Sequence, residues 1–199
     1  MATRRRPPAG NTIRLAAVGL AAAGSGPFEE ADTVDTRRWV RVAITGEYRG
    51  HKGGAQPFKL TRQHFDDMVA AVRAHPSYQA GAGGEGERDV VKWDFEHASA
   101  PENWTSLVAL SGIPAIGWSS DLKVVAGVAG KPDELLALTR YLEPALGYVK
   151  SGKYRGASID ATLLSIDRVT AEKGGAVLRA VALTNDPFLQ GMDVGDNRI

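Results

Sequence analysis

Cysteine is absent from this chain of 199 residues. The chain therefore has no disulfide framework, no thiol nucleophile and no cysteine-ligated zinc, and this composition suits a reducing compartment. An excess of one charge is also absent, since 24 lysines and arginines stand against 23 acidic residues. Such a balance argues against a mainly electrostatic partner such as duplex DNA. We therefore expect no direct nucleic-acid binding. No apolar run reaches the roughly 18 to 20 residues that cross a bilayer, so we expect no membrane span.

The N-terminal segment has a basic start, an apolar middle and small residues after it, as secretory signals do. Two prolines follow the arginines, however, and Arg14 interrupts the apolar part. We therefore predict a flexible basic segment over residues 1–37 that includes a first strand, then one folded domain over 38–190 and a tail over 191–199. The alternative is an exported hydrolase, which would require cleavage near residues 23–25.

Residue periodicity predicts an α+β domain. Apolar and polar residues alternate, as they do in strands, over residues 37–50, 90–97, 154–170 and 175–189. Helical spacing predicts one helix after an N-cap at Thr61 and a second over 131–152, with a break at Pro144 and a cap at Gly152. A glycine turn typical of hairpins separates the last two strands. The expected fold is a mainly antiparallel, β-barrel-like core with a few flanking helices.

The stretch VVKWDFEH places two acids and a histidine at the end of an apolar, aromatic run. In a regular strand Trp93, Phe95 and His97 share one face, while Asp94 and Glu96 lie on the other. This alternation predicts that His97 points to the interior with the aromatic side chains, and that the neighbouring acids point away from it. The stretch could supply a catalytic histidine, part of a metal site, or only the polar end of a core strand.

A metal site at His97 would need at least three ligands with defined geometry. The other histidines, His51, His64 and His75, lie in or beside a turn and a helix, without ligand-like spacing to this strand. We therefore expect neither a metal nor another cofactor.

A serine later in the chain is a candidate nucleophile. Ser158 follows the small pair Gly156–Ala157, and Asp160 lies two residues further on, hence on the same strand face. The sequence has no G-x-S-x-G elbow, which disfavours an α/β-hydrolase. A serine needs a base to become a nucleophile, and His97 is the only histidine within a predicted strand.

Four segments, taken together and in this order, resemble the Mu-like phage prohead protease family, the protease I or capsid maturation protease of tailed phages. The resemblance covers about residues 38–190. The matching segments are Asp94-Phe95-Glu96-His97, Pro114-Ala115-Ile116-Gly117-Trp118, Tyr154-Arg155-Gly156-Ala157-Ser158 and Ala182-Leu183-Thr184-Asn185-Asp186-Pro187. The last segment, read by itself, is typical of a core strand that ends in an Asx-type turn.

The resemblance implies a fold and mechanism related to those of herpesvirus assemblin. In such enzymes a histidine on one strand activates a serine on a later strand, which makes His97 the general base and Ser158 the nucleophile of a serine endopeptidase. Backbone N–H groups, with Gly156 among the candidates, would form the oxyanion hole.

The third catalytic group is less defined by the resemblance. The family often has a proline after the serine, where this chain has Ile159, and related proteases carry an acid about where this chain has Ala180. Strand-face geometry favours Asp160. Asp186, Glu96 and a water molecule remain alternatives.

The resemblance also implies the partners. The expected substrates are scaffold and capsid proteins of the same phage or prophage, and the chain could process itself. Cleavage would take place in the host cytoplasm, inside the immature capsid. Related enzymes often work as dimers, so a homodimer is consistent with the resemblance. The alternative function is that of a non-catalytic internal scaffold or assembly protein built on the protease fold.

Overall fold

The computed structural model describes residues 37–48, 57–81, 89–98, 114–166 and 173–185, and the backbone of residues 12–19. The helices are α1 (Arg62–Ala74), α2 (Pro76–Gly81) and α3 (Ala145–Lys150). The strands are β1 (Thr12–Gly19), β2 (Arg38–Ile44), β3 (Gly46–Tyr48), β4 (Phe58–Leu60), β5 (Val91–Phe95), β6 (Gly117–Val125), β7 (Glu134–Tyr141), β8 (Gly156–Thr162), β9 (Ser165–Ile166), β10 (Lys173–Gly174) and β11 (Val177–Thr184).

A seven-stranded sheet organises the described residues, in the order β1-β8-β11-β5-β6-β7-β2. All neighbouring strands are antiparallel except β5 and β11, which are parallel. The edge strands β1 and β2 contact each other, so the sheet curls into a half-barrel. The prediction of a mainly antiparallel α+β fold with few helices is confirmed at this level. The predicted first strand is β1.

The two faces of the central strands differ in chemistry. The Trp93 face is apolar and consists of Val91, Trp93, Ala157, Ile159, Val181 and Leu183. Helix α1 buries its apolar side chains in the same core cluster. The Ser158 face is opposite and consists of Lys92, Asp94, Ser158, Asp160, Ala180, Ala182 and Thr184. Hydrophobic burial on the Trp93 face therefore fixes which polar side chains share the Ser158 face.

Helix α1 forms where its sequence predicts it. The Thr61 hydroxyl accepts a hydrogen bond from the backbone N–H of His64, and the imidazole of His64 accepts one from the backbone N–H of Thr61. This reciprocal cap satisfies two backbone donors at the helix start. The helix ends at Ala74, two residues before Pro76.

The prediction of a helical region over 131–152 was wrong for its first half. Residues 134–141 form β7, which pairs with β6 on one side and β2 on the other. Only α3 is helical, and Gly152 follows it with a left-handed φ of 69°, as predicted for the cap. The run Leu135-Leu136-Ala137-Leu138 has high helix propensity, but ladder bonds and burial between two strands outweigh a few tenths of a kcal/mol per residue.

Trp93 anchors the centre of the sheet. Its indole Nε1–H donates to Ser119 Oγ at 2.7 Å, and Ser119 Oγ lies 2.9 Å from Thr139 Oγ1. Thr139 in turn donates to the carbonyl oxygen of Ala137 at 3.2 Å. This buried chain of hydrogen bonds joins β5, β6 and β7 in one register, and each polar group in it has a partner.

Gly117 explains part of the Gly-Trp segment. It pairs directly with Trp93, and a Cβ atom at this position would lie 2.8 Å from the carbonyl oxygen of Arg140. Any larger residue would push β6 away from β7. Strand packing therefore accounts for the glycine of this segment.

Several predicted segments lie outside the described residues. These are residues 1–11 and 20–36 of the predicted N-terminal segment, the end of the predicted strand 154–170 after residue 166, residues 186–190 of the predicted domain with Asp186 among them, and the tail 191–199.

Candidate active site

The histidine lies in a tight turn at the end of β5. The strand ends at Phe95, and the N–H of Ala98 donates to the carbonyl oxygen of Phe95 at 2.8 Å. Glu96 and His97 have φ angles of 50° and 56°, both in the left-handed region. Non-glycine residues adopt this region at a cost of about 1 kcal/mol or more each, so the surrounding contacts must hold the turn in place.

This turn reverses the predicted direction of the imidazole. Regular alternation would place His97 on the Trp93 face, and that prediction was wrong. The two left-handed residues end the alternation, and the His97 side chain reaches the opposite face, where Ser158 lies. The sequence shows no glycine or asparagine at these two positions to indicate such a turn.

The structure brings His97 and Ser158 together. His97 Nε2 lies 2.5 Å from Ser158 Oγ, although the residues are 61 positions apart. Ser158 is on β8, two strands from β5, which is roughly 10 Å across the sheet. Strand β11 lies between them, and its residue Ala182 pairs with both Asp94 and Ser158. The residue of β11 in this row is thus a small one.

The carboxylate of Glu96 ties the turn to the end of β11. Glu96 Oε2 accepts a hydrogen bond from the hydroxyl of Thr184 at 2.6 Å, and Oε1 accepts one from the N–H of Asn185 at 3.3 Å. Asn185 Oδ1 accepts from the N–H of Arg155 at 3.2 Å, and its amide group donates to the carbonyl oxygen of Lys153. We call Glu96, Thr184 and Asn185 the Glu96 clamp. It joins the turn with His97 to the segment that leads into the strand with Ser158.

Aromatic rings pack beside the clamp. Phe95, Tyr148 and Tyr154 form a cluster, with the Phe95 and Tyr154 ring centroids 5.0 Å apart. Burial, and then electrostatic interaction with Glu96 and with the neighbouring Tyr148, raise the pKa of the Tyr154 phenol. The phenol therefore stays neutral next to the Glu96 carboxylate, and the rings support the turn from the Trp93 face.

The three acids weighed with His97 have different positions. Asp160 is buried on the Ser158 face, as strand geometry predicts, but it pairs across β11 with Ala180 and Lys92 rather than with the row of Ser158. The Glu96 carboxylate belongs to the clamp. Asp186 lies outside the described residues.

Asp94 is not among the candidate acids that the sequence suggests. This residue is 1% exposed and lies on the Ser158 face, in the same row as Ala182 and Ser158. Only the register between β5 and β11 shows this alignment, and no local sequence pattern encodes a parallel register between segments so far apart.

Gly156 does not match the role of a flexible oxyanion-hole donor. It is a buried residue of β8 that pairs with Gly19 of β1 and Thr184 of β11. Its backbone is held within the sheet on both sides.

Within the described ranges, no three His, Asp or Glu side chains come together in a way that could hold a metal ion. Over the same ranges, no helix has the length and apolar character needed to cross a membrane. Comparisons of the chain with protein-family models, with curated proteins and with solved structures gave no match.

The clamp leads to a testable expectation for Thr184. Thr184→Val keeps the side-chain shape but removes a hydroxyl that donates to a carboxylate, a bond worth about 1.5–3 kcal/mol. The turn should loosen, and the ¹⁵N resonance of His97 Nε2 should shift toward the value of an imidazole without a hydrogen bond. Thr139→Val, a buried strand threonine in the Trp93 network, is the matched control and should leave the His97 resonance unchanged. Identical His97 spectra in both variants would contradict a positioning role for the clamp.

Proposed function

We propose that this chain is a serine endopeptidase of the prohead protease type, which cleaves scaffold and capsid protein segments during phage head assembly. The observation that carries the proposal is the contact of His97 Nε2 with Ser158 Oγ at 2.5 Å. A base at hydrogen-bond distance from a hydroxyl is the minimum arrangement that makes serine a nucleophile. The capsid substrates are supported by the four ordered segments that resemble the prohead proteases.

The reaction follows from this pair. Ser158 Oγ attacks the carbonyl carbon of the peptide bond while its proton passes to His97 Nε2. The tetrahedral intermediate breaks its C–N bond, and the imidazolium gives the same proton to the leaving amine. In the resulting acyl-enzyme, His97 takes a proton from a water molecule, whose oxygen attacks the ester carbon. The Ser158–acyl bond then breaks, and the proton returns to Ser158 Oγ.

The described residues supply orientation before any substrate binds. The left-handed turn and the Glu96 clamp hold the backbone that carries His97, and Nε2 already lies 2.5 Å from Ser158 Oγ, so little motion is needed to pass the proton. Groups that are already positioned lose less conformational entropy on reaching the transition state, which lowers the activation free energy.

One observation favours the non-catalytic alternative. Ser158 is only 2% exposed, whereas a substrate carbonyl must approach its hydroxyl to about 3 Å. In an internal assembly protein the His97–Ser158 bond would be a buried structural hydrogen bond, and exposure of the hydroxyl would not be required.

A fluorophosphonate probe separates the two functions. The probe should modify intact protein at one site, and mass spectrometry should locate the adduct on the peptide that contains Ser158. Ser158→Ala should remove the adduct, and His97→Ala should slow its formation by at least about 100-fold because the general base is lost. Ser120→Ala, another buried strand serine, is the matched control and should label like the wild type.

The opposite result is equally informative. If folded wild-type protein stays unlabelled at probe concentrations that saturate known serine hydrolases, the assembly-protein function replaces the protease.

A further inference from the structure

The position of the imidazole limits where an orienting acid can lie. In a histidine ring Nδ1 is bonded to the carbon that carries Cβ, whereas Nε2 lies on the far side of the ring. His97 presents Nε2 to Ser158. Its Nδ1 must therefore lie on the side of the ring nearer its own backbone, which is the end of β5. An acid that binds Nδ1 must approach from this side.

Asp94 lies on that side. It belongs to β5 and precedes the turn that carries His97 by a single residue. Its pairing with Ala182, and that of Ala182 with Ser158, align Asp94 and Ser158 on one face about two strand spacings, or roughly 10 Å, apart. An aspartate–imidazole–serine chain needs a comparable span, since it contains a ring and two hydrogen bonds of about 2.7–3 Å each.

Burial adds a second reason to assign Asp94 a role. At 1% exposure its carboxylate is among the most buried polar groups of the described residues. A carboxylate at such a depth is costly unless it faces a cation or hydrogen-bond donors, and an imidazole that becomes an imidazolium during catalysis is both.

The other candidate acids, Asp160 and Glu96, are less suited to accept a hydrogen bond from His97 Nδ1–H. Asp160 lies two residues beyond Ser158 on β8, about 7 Å away, in the row of Ala180 and Lys92. It is therefore on the serine side of the ring, toward Nε2. Glu96 is near the correct side, but its two carboxylate oxygens accept hydrogen bonds from Thr184 and Asn185.

We propose that Asp94, and not Asp160, is the residue that positions His97, by accepting a hydrogen bond from Nδ1–H in the reactive complex. The inference rests on the proposed function. The carboxylate stays ionised throughout: it fixes the tautomer in which Nε2 accepts the Ser158 proton, and it stabilises the imidazolium that follows.

The test compares Asp94→Asn with Asp160→Asn in the full chain. Asp94→Asn should slow fluorophosphonate modification of Ser158 by about 10²–10⁴-fold, because an amide also stabilises the wrong tautomer. Asp160→Asn should slow it by less than about tenfold, since residue 160 lies on the serine side of the ring. The ¹⁵N spectrum of His97 is the second readout, in which Asp94→Asn should move the proton from Nδ1 to Nε2. Asp160→Asn should leave the tautomer unchanged.

Each other outcome overturns the assignment. If only Asp160→Asn slows the modification of Ser158, Asp160 is the positioning residue. If both variants slow it equally, the two acids cannot be assigned different roles. If both variants react at the wild-type rate, His97 and Ser158 act as a dyad assisted by water. If Asp94→Asn does not fold, the test is made on the wild-type protein by NMR. The absence of a nuclear Overhauser contact between the His97 Nδ1–H proton and the Asp94 β-protons would contradict the proposal. If the wild type is never labelled, the protease function fails, while the His97 tautomer still tests Asp94 by itself.

Discussion

Ser158→Ala is expected to abolish cleavage of the scaffold and capsid proteins when the full chain is produced together with them. Removal of a serine nucleophile typically lowers the rate by about 10³–10⁶-fold, and the remaining activity would not be visible on a gel. The fold should persist, because alanine is smaller than serine and the lost hydrogen bond to His97 is worth about 0.5–1.5 kcal/mol. The measurement is the pattern of substrate fragments, together with the free energy of unfolding of the purified variant.

Ser120→Ala is again the matched control, since it removes a buried hydroxyl from β6 without touching His97. Fragments should appear in this variant as in the wild type. Unchanged fragmentation in Ser158→Ala would remove Ser158 from the mechanism, even if a fluorophosphonate labels it.

The second large effect concerns stability. Trp93→Ala should lower the free energy of unfolding by about 3–5 kcal/mol, because it leaves a cavity at a fully buried site. It also leaves Ser119 without the indole donor at the start of the hydrogen-bonded chain through Thr139. Urea unfolding followed by circular dichroism measures the loss, provided that the denaturant slope is unchanged.

Trp93→Phe separates the two contributions. Phenylalanine keeps most of the apolar volume and loses the N–H, so a smaller loss of about 1–2 kcal/mol is expected. A loss below about 1 kcal/mol in Trp93→Ala would mean that the Trp93 face is not the main core.

The sequence predicts those parts of the fold that depend on local signals. Helix α1 has a capping threonine, apolar residues at helical spacing and a proline after its end, and all three act within a few residues of one another. The residues of β7 carry the opposite local signal. Their leucines and alanine favour a helix, and only pairing with two strands distant in sequence makes them extended.

The candidate site likewise depends on contacts between segments that are distant in sequence. His97 and Ser158 were chosen from residue type and from resemblance, and their contact depends on a left-handed turn that no glycine marks. Strand alternation alone placed the imidazole on the wrong face. Asp94 could not be chosen before the parallel register of β5 and β11 was known, because a shift of one residue would put it among the core side chains.

The position of β11 in the sheet determines whether His97 and Ser158 can come together. The strands that carry His97 and Ser158 are not neighbours, and the strand between them is the last one of the described chain. Without residues 177–185, β5 and β8 lose the strand with which both pair, and Glu96 loses its hydrogen bonds from Thr184 and Asn185. Under the proposed function, a chain truncated before β11 should therefore lack the assembled His97–Ser158 pair and should not cleave peptide bonds.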